Sequence, residues 1–176
     1  MKPNRSEEWL TSWQDIGGGN RMENGTKWAV LISIKAHHAA NIYAGTKKME
    51  LRKTVPRYEP AGGAFAKYPL RVYMYESKTG GGAGAITGFF DCQGFIGTSG
   101  SYMQSMADAA QVSMEALCKY GNGGWVFGWK VEKPGHLSQP VPLAEIGMDM
   151  PPQSWCYLKA DACAILEERT PRYLRP

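Results

Sequence analysis

Between Val30 and Arg52 the chain changes its hydrophobic period twice, and that order of elements restricts what it can fold into. Val30-Leu31-Ile32-Ser33-Ile34 is a β-branched apolar run of strand length. Ala36, Ala39, Ala40 and Tyr43 follow at helical spacing, and Gly45 stands where a left-handed residue ends a helix. Beyond it the period falls to two, so Met49 and Leu51 point one way and Lys48, Glu50 and Arg52 the other. The pattern predicts a strand, a short helix and a half-buried strand whose charged face is turned to solvent or ligand.

The rest of the chain reads mainly as strands. Leu70 to Tyr75 is aromatic and β-branched, and a glycine-rich turn at Gly80–Gly84 joins it to Ala85–Phe90 as a hairpin. Met103, Met106, Ala107, Ala110, Met114 and Leu117 recur every three or four residues, which predicts one amphipathic helix over Ser101–Lys119 with a methionine stripe facing the core. Trp125, Phe127 and Trp129 alternate along a further strand and are assigned to the core. Trp155 to Leu158 reads as a last strand, and the polar residues beyond Lys159 as a short helix and tail. Near the start, Ser6 caps a predicted helix to Asp15 that carries Trp9, Leu10 and Trp13 on one face, before a glycine-rich linker. The fold class expected is α+β, mainly β: a small β-barrel with peripheral helices. Its boundaries are an N-terminal extension over 1–26, one domain over 27–159 and a C-terminal tail over 160–176.

A length of 176 residues with 43% hydrophobic content supports one sizeable core. Twenty Lys and Arg against sixteen Asp and Glu give a formal charge of +4, which permits a polyanionic partner without requiring one. The N-terminus lacks an apolar signal core and no stretch is long enough to span a bilayer, so the expectation is a cytoplasmic protein without a membrane partner. Cys92, Cys118, Cys156 and Cys163 are widely spaced and form no CxxC pair, which signals neither a zinc site nor a disulfide framework. His37 and His38 are adjacent on a helix and so point about 100° apart, the wrong geometry for a shared metal. The glycine runs fit neither phosphate-binding fingerprint. No metal and no cofactor are expected.

Residues Val30–Arg52, VLISIKAHHAANIYAGTKKMELR, resemble the opening of the ASCH family in the PUA-like superfamily. The family's strand, helix and G-x-K-x-x-E-x-R order is met by Gly45, Lys47, Glu50 and Arg52. Val72-Tyr73-Met74-Tyr75-Glu76 resembles its third strand, and Pro140–Leu143 with Pro151-Pro152-Gln153-Ser154-Trp155 resembles its close. The resemblance implies a barrel of five or six strands with a cleft between the first helix and the sheet, which binds RNA or a modified nucleoside or nucleotide. It also implies an alternative, because one branch of the family consists of amidohydrolases that deacetylate an acetylated cytidine with the motif lysine, and some members act on RNA. In that branch threonine stands at the place of Glu50.

The expected ligand-binding residues are Lys35, Gly45, Lys47, Glu50, Arg52, Tyr75, Gln153, Ser154 and Trp155, with Tyr73 as a second stacking ring. Gln153 would read a base edge and Trp155 would wall a cage. If the protein is an enzyme, Lys47 and Glu50 are its catalytic pair. A free lysine pKa of about 10.4 has to fall for Lys47 to act as a nucleophile; burial and cationic neighbours lower it while Glu50 raises it. Lys47 and Glu50 are an odd number of residues apart, so they converge only if Lys47 belongs to the turn after Gly45. Binding by an ASCH (PUA-like) module, hydrolysis of an acylated nucleoside and cleavage of RNA all stay open, as does recruitment of a protein partner through the N-terminal helix.

Overall fold

The computed structural model describes residues 29–56, 69–99 and 103–174. The predicted helix over Ser6–Asp15, the linker after it and most of the Pro56–Pro69 loop lie outside the described residues. The elements in chain order are β1 (Ala29–Ile34), α1 (Ala36–Tyr43), β2 (Met49–Arg52), β3 (Leu70–Glu76), β4 (Ala85–Cys92), β5 (Phe95–Thr98), α2 (Met103–Ala110), α3 (Met114–Gly121), β6 (Val126–Lys130), β7 (Glu132–Val141), β8 (Trp155–Tyr157) and α4 (Ala160–Arg169), with single 3₁₀ turns at Leu143–Ile146 and Arg172–Leu174.

The strands form two sheets, and among the described residues no closed barrel is found, which corrects the expected architecture while keeping its α+β class. Five strands run in the order β7-β4-β3-β1-β8 and three in the order β2-β6-β5. The sheet does not close because β1 takes β3 as a parallel neighbour and β8 as an antiparallel one, while β2 pairs with β6. Both edges of β1 are thereby filled, and β2 is left to build a second sheet.

Both faces of the five-stranded sheet are buried. Val30, Ile32, Val72, Met74 and Phe90 pack with Ala39 and Ile42 of α1 and with Trp129 of the smaller sheet. On the opposite face Leu31, Tyr73, Tyr75 and Phe89 pack with Ala162, Cys163 and Leu166 of α4. The segment after Lys159 thus contributes a helix to the core. Burial on both faces explains why β1 reads as a continuous apolar run instead of an alternating one. A third cluster joins Met106, Ala107, Leu117 and Val126 with Met49 and Leu51, so α2 and α3 cover the outer face of the smaller sheet.

The single helix predicted over Ser101–Lys119 is two. Gln111 takes a φ of 54° and Ser113 caps α3 by accepting the Ala116 N–H at 3.1 Å. A serine competing for a helix N-terminus overrides an uninterrupted methionine stripe. Trp129 is fully buried, but Trp125 is 53% exposed and stacks on the half-buried Phe127, so only part of the aromatic alternation belongs to the core. The strand β7 was not legible, because Pro134, Gly135 and Pro140 argue against a strand interior. It is an edge strand, where prolines are tolerated. Gly88 of β4 sits under the Gly135 carbonyl and the Tyr43 ring, with no room for a Cβ. Gly88→Ala is expected to destabilise the fold by about 1–3 kcal/mol through overpacking. Gly94→Ala, with nothing within 4 Å, should stay within about 0.5 kcal/mol in the same urea titration.

Candidate functional site

The charged residues of β2 face inward. Met49 and Leu51 are half-buried under α2 and α3, whereas Glu50 and Arg52 are 6% and 7% exposed. Of the two expected directions, solvent or ligand, the charges take the second: the methionine and leucine meet a helical layer, and Glu50 and Arg52 line a cleft between the sheets and α3. Lys47 lies before β2, in the turn that Gly45 opens with a φ of 71°. Its N–H donates to the Asn41 carbonyl at 3.0 Å, so the end of α1 fixes the turn. Because Lys47 is outside the strand, the odd spacing to Glu50 does not separate them.

The Lys47 ammonium is 3.4 Å from Glu50 Oε2, and Arg52 Nη2 is 3.0 Å from Glu50 Oε1. Lys47 Nζ donates to the Ala110 carbonyl at the end of α2 at 2.6 Å. Arg52 donates through Nη2 to the Ser33 carbonyl at 2.8 Å and through Nη1 to the Ser154 carbonyl at 3.0 Å. One carboxylate therefore holds two cations, which in turn anchor the α2 terminus, the end of β1 and the approach to β8. Burial pushes the Lys47 pKa below the ordinary lysine range, with Arg52 acting in the same direction and Glu50 against both. The structure thus ranks the opposing influences seen in the sequence.

This triad forms the floor of a cleft of about 380 Å³. Ser33, Lys35 and His38 border it on one side, and Leu51, Val112, Ala116, Leu117 and Tyr120 on the other. His38 and Tyr120 are site residues that the sequence reading did not select. His38 carried a signal, since it follows His37 on the helix that leads into the motif. Tyr120 carried none, because the break between α2 and α3 decides which way it faces. The Lys53 ammonium lies 5.4 Å from the Tyr120 ring centroid, and burial raises the phenol pKa. Three buried polar atoms of the lining residues, Glu50 Oε2, Arg52 Nε and His38 Nδ1, have no hydrogen-bond partner among the described residues. Oε2 faces the Lys47 ammonium at 3.4 Å as an ion pair.

The remaining expected residues divide. Lys35 is exposed at the cleft rim, and Ser154 contributes its carbonyl to Arg52. Gly45 shapes the turn and borders a neighbouring cleft. Tyr75, like Tyr73, packs against the α4 side of the five-stranded sheet and is not brought to the cleft, because its strand parity sends it to the other face. Gln153 is exposed and lines neither cleft. Trp155 packs edge-on against Trp129 at 5.9 Å and donates to Thr54 Oγ1 at 2.9 Å, which makes it a support for the wall behind Arg52. Cys92, Cys118, Cys156 and Cys163 are all free thiols, and Cys118 is exposed.

Removing the central charge tests the triad. Glu50→Gln leaves two buried cations without their counter-ion and is expected to cost about 3–5 kcal/mol in chemical unfolding. Acid tests His38. Burial, with the Lys47 ammonium second, lowers its pKa from 6.5 to about 4. Between those values the unfolded chain binds a proton that the folded one refuses, so stability is complete above pH 6.5 and is lost as the pH falls towards 4. His38→Gln should lose about 1–2 kcal/mol less than the parent between pH 7 and 4.5, allowing for solvent at a half-buried ring.

No protein-family model matches the chain, and no curated protein matches it in sequence. Solved structures do match. The crystal structure of ASCH from Zymomonas mobilis superposes with a TM-score of 0.65 at 17% identity, over 81% of this chain and 96% of that one. A tyrosine-to-phenylalanine variant of the same protein gives 0.63 at 16% identity over 81% and 99%. A serine-to-alanine variant gives 0.62 at 16% over 80% and 94%. The two-sheet arrangement that brings Lys47, Glu50 and Arg52 together is therefore that of a known architecture, and the chain has the ASCH-domain fold.

Proposed function

We propose that this protein binds a nucleobase, presented by RNA or by a modified nucleoside, in the cleft between α1, β2 and α3, and that it recognises the base without transforming it. The observation that carries the reading is the pair of buried polar atoms on the cleft floor with no hydrogen-bond partner among the described residues, Arg52 Nε and His38 Nδ1, beside Glu50 Oε2, whose contact with Lys47 is an ion pair. Buried polar groups in folded proteins are almost always partnered, and those left over mark where a partner belongs. An acceptor and a donor side by side complement the edge of a base, with the carboxylate taking an exocyclic amino group and the guanidinium a ring or carbonyl acceptor. Opposite them, Tyr120 and the apolar side chains of α3 supply a face for stacking, worth roughly 1–3 kcal/mol. The cleft falls in the size range of small-ligand sites.

The state of Lys47 supports binding over hydrolysis. Its side chain is 1% exposed, and Nζ is bonded to the Ala110 carbonyl and paired with Glu50. A nucleophile has to reach its substrate, and this amine is spent on the fold. Among the described residues no helix is long and apolar enough to cross a membrane, in keeping with a cytoplasmic site of action.

Calorimetry of the whole chain with a panel of methylated and acetylated nucleosides and short oligoribonucleotides tests the proposal, with chromatography of the same mixtures for products. Binding is expected to weaken about tenfold or more in Tyr120→Ala and in His38→Ala, and oligonucleotide affinity to fall with salt as Lys35 and Lys53 at the rim lose phosphate contacts. Lys47→Ala is a poor probe, since it removes a support of the fold. Product formation would replace the binding reading with the hydrolase one. Absence of both binding and product would remove the cleft from consideration.

A further inference from the structure

Lys47 borders a second cleft as well, of about 340 Å³, on the side away from Tyr120. We infer that this second cleft is a phosphate site, formed by Lys48 and Lys133 over the Gly45 turn, that holds the phosphoryl group of the ligand whose base occupies the first. Only this linkage of the two clefts rests on the nucleobase reading.

Two lysines from distant parts of the chain meet there. The backbone of Lys48 is pinned on both sides, its N–H donating to the Ala109 carbonyl at 2.7 Å and its carbonyl accepting from the Val131 N–H at 3.0 Å. Its ammonium folds back over Gly45, 3.9 Å from where a Cβ would stand. Lys133 sits just inside β7 with a φ of 45°, a conformation that non-glycine residues seldom hold. Among the described residues neither the Lys48 nor the Lys133 ammonium forms an ion pair or a side-chain hydrogen bond. The acid that shares the cleft, Glu132, accepts from the Gln93 side-chain amide at 3.1 Å. The charged ends open to an anion are therefore those of Lys48 and Lys133 against Glu132, since the Lys47 ammonium is held by Glu50 and the Ala110 carbonyl.

The chemistry of the lining selects the ligand class. No aromatic ring borders this cleft, so it offers a base nothing to stack on, in contrast to the first. Lysine ammonium groups on flexible stems suit a compact, multiply charged oxyanion better than a planar carboxylate, which calls for an arginine fork. Lys47 lines both clefts, which makes them neighbours, and the linked reading places a base in one and its phosphate in the other.

The test uses the full chain and two kinds of probe. In ¹H–¹⁵N spectra, inorganic tripolyphosphate is expected to shift the amides of Gly45, Lys48 and Lys133 saturably, and the Lys48→Glu/Lys133→Glu double variant, with all three assigned clusters of the core unperturbed, should not respond. By calorimetry a nucleoside 5′-monophosphate should bind at least about tenfold more tightly than its nucleoside, the weight of one charge-assisted contact, and the ratio should fall to about one in the double variant. A gain that appears with a dinucleotide and not with the monophosphate assigns the cleft to a phosphodiester. Tripolyphosphate shifts without any nucleoside binding would keep the phosphate site and remove the nucleobase reading. Nucleoside binding with no tripolyphosphate response and no gain from the 5′-phosphate would overturn the phosphate site alone, as would shifts that persist in the double variant.

Discussion

A single carboxylate, that of Glu50, is taken out of water between a lysine and an arginine, and the rest of the site is arranged around that. Bringing such charges into the interior is costly unless the geometry is good and the leftover donors are met. Here they are met largely by backbone: Ala110, Ser33 and Ser154 each offer a carbonyl, from three different parts of the chain. The triad thereby fixes where α2 ends, how β1 leaves its sheet and where the last strand begins. These are the segments that border the cleft, so the interaction that positions the site is the one that holds its walls.

The physical character of each residue decides how far the sequence could be read. The switch from apolar run to helical spacing to alternation marked β1, α1 and β2 to within a residue or two, because each signal was local and unopposed. The convergence of Lys47 with Glu50 was legible as a condition on Gly45, and the left-handed turn meets it. What was not legible depended on contacts between distant segments. Whether Glu50 faced solvent or interior turned on which side of β2 α2 and α3 would cover, and nothing in MELR states that. Tyr75 was misplaced for the same reason, since a strand buried on both faces does not reveal which face holds the ligand. The barrel failed to close because β1 filled both of its edges, a matter of pairing that alternation leaves undetermined.

Comparison with the Zymomonas mobilis ASCH structures is informative in what persists at so low an identity. Some four-fifths of this chain follows the same path at 16–17% identity. At that identity the likeness carries the path of the chain and nothing of its side chains.

The placement of β2 has a further consequence, for association between molecules. In the smaller sheet β2 is an outer strand whose one paired neighbour among the described residues is β6, and an unpaired strand edge is a row of backbone groups on which a second chain can build. At four residues it is short, and two of the four carry charges turned inward. A foreign strand docking alongside would have to extend the inner face next to Glu50 and Arg52, where an apolar side chain would confront ions and a polar one would disturb their pairing. Replacing the triad with well-packed hydrophobic residues of similar volume is often neutral or favourable for a protein's stability. In this fold it would also remove the charges that flank an outer strand, so a more stable variant would be the more prone to aggregate.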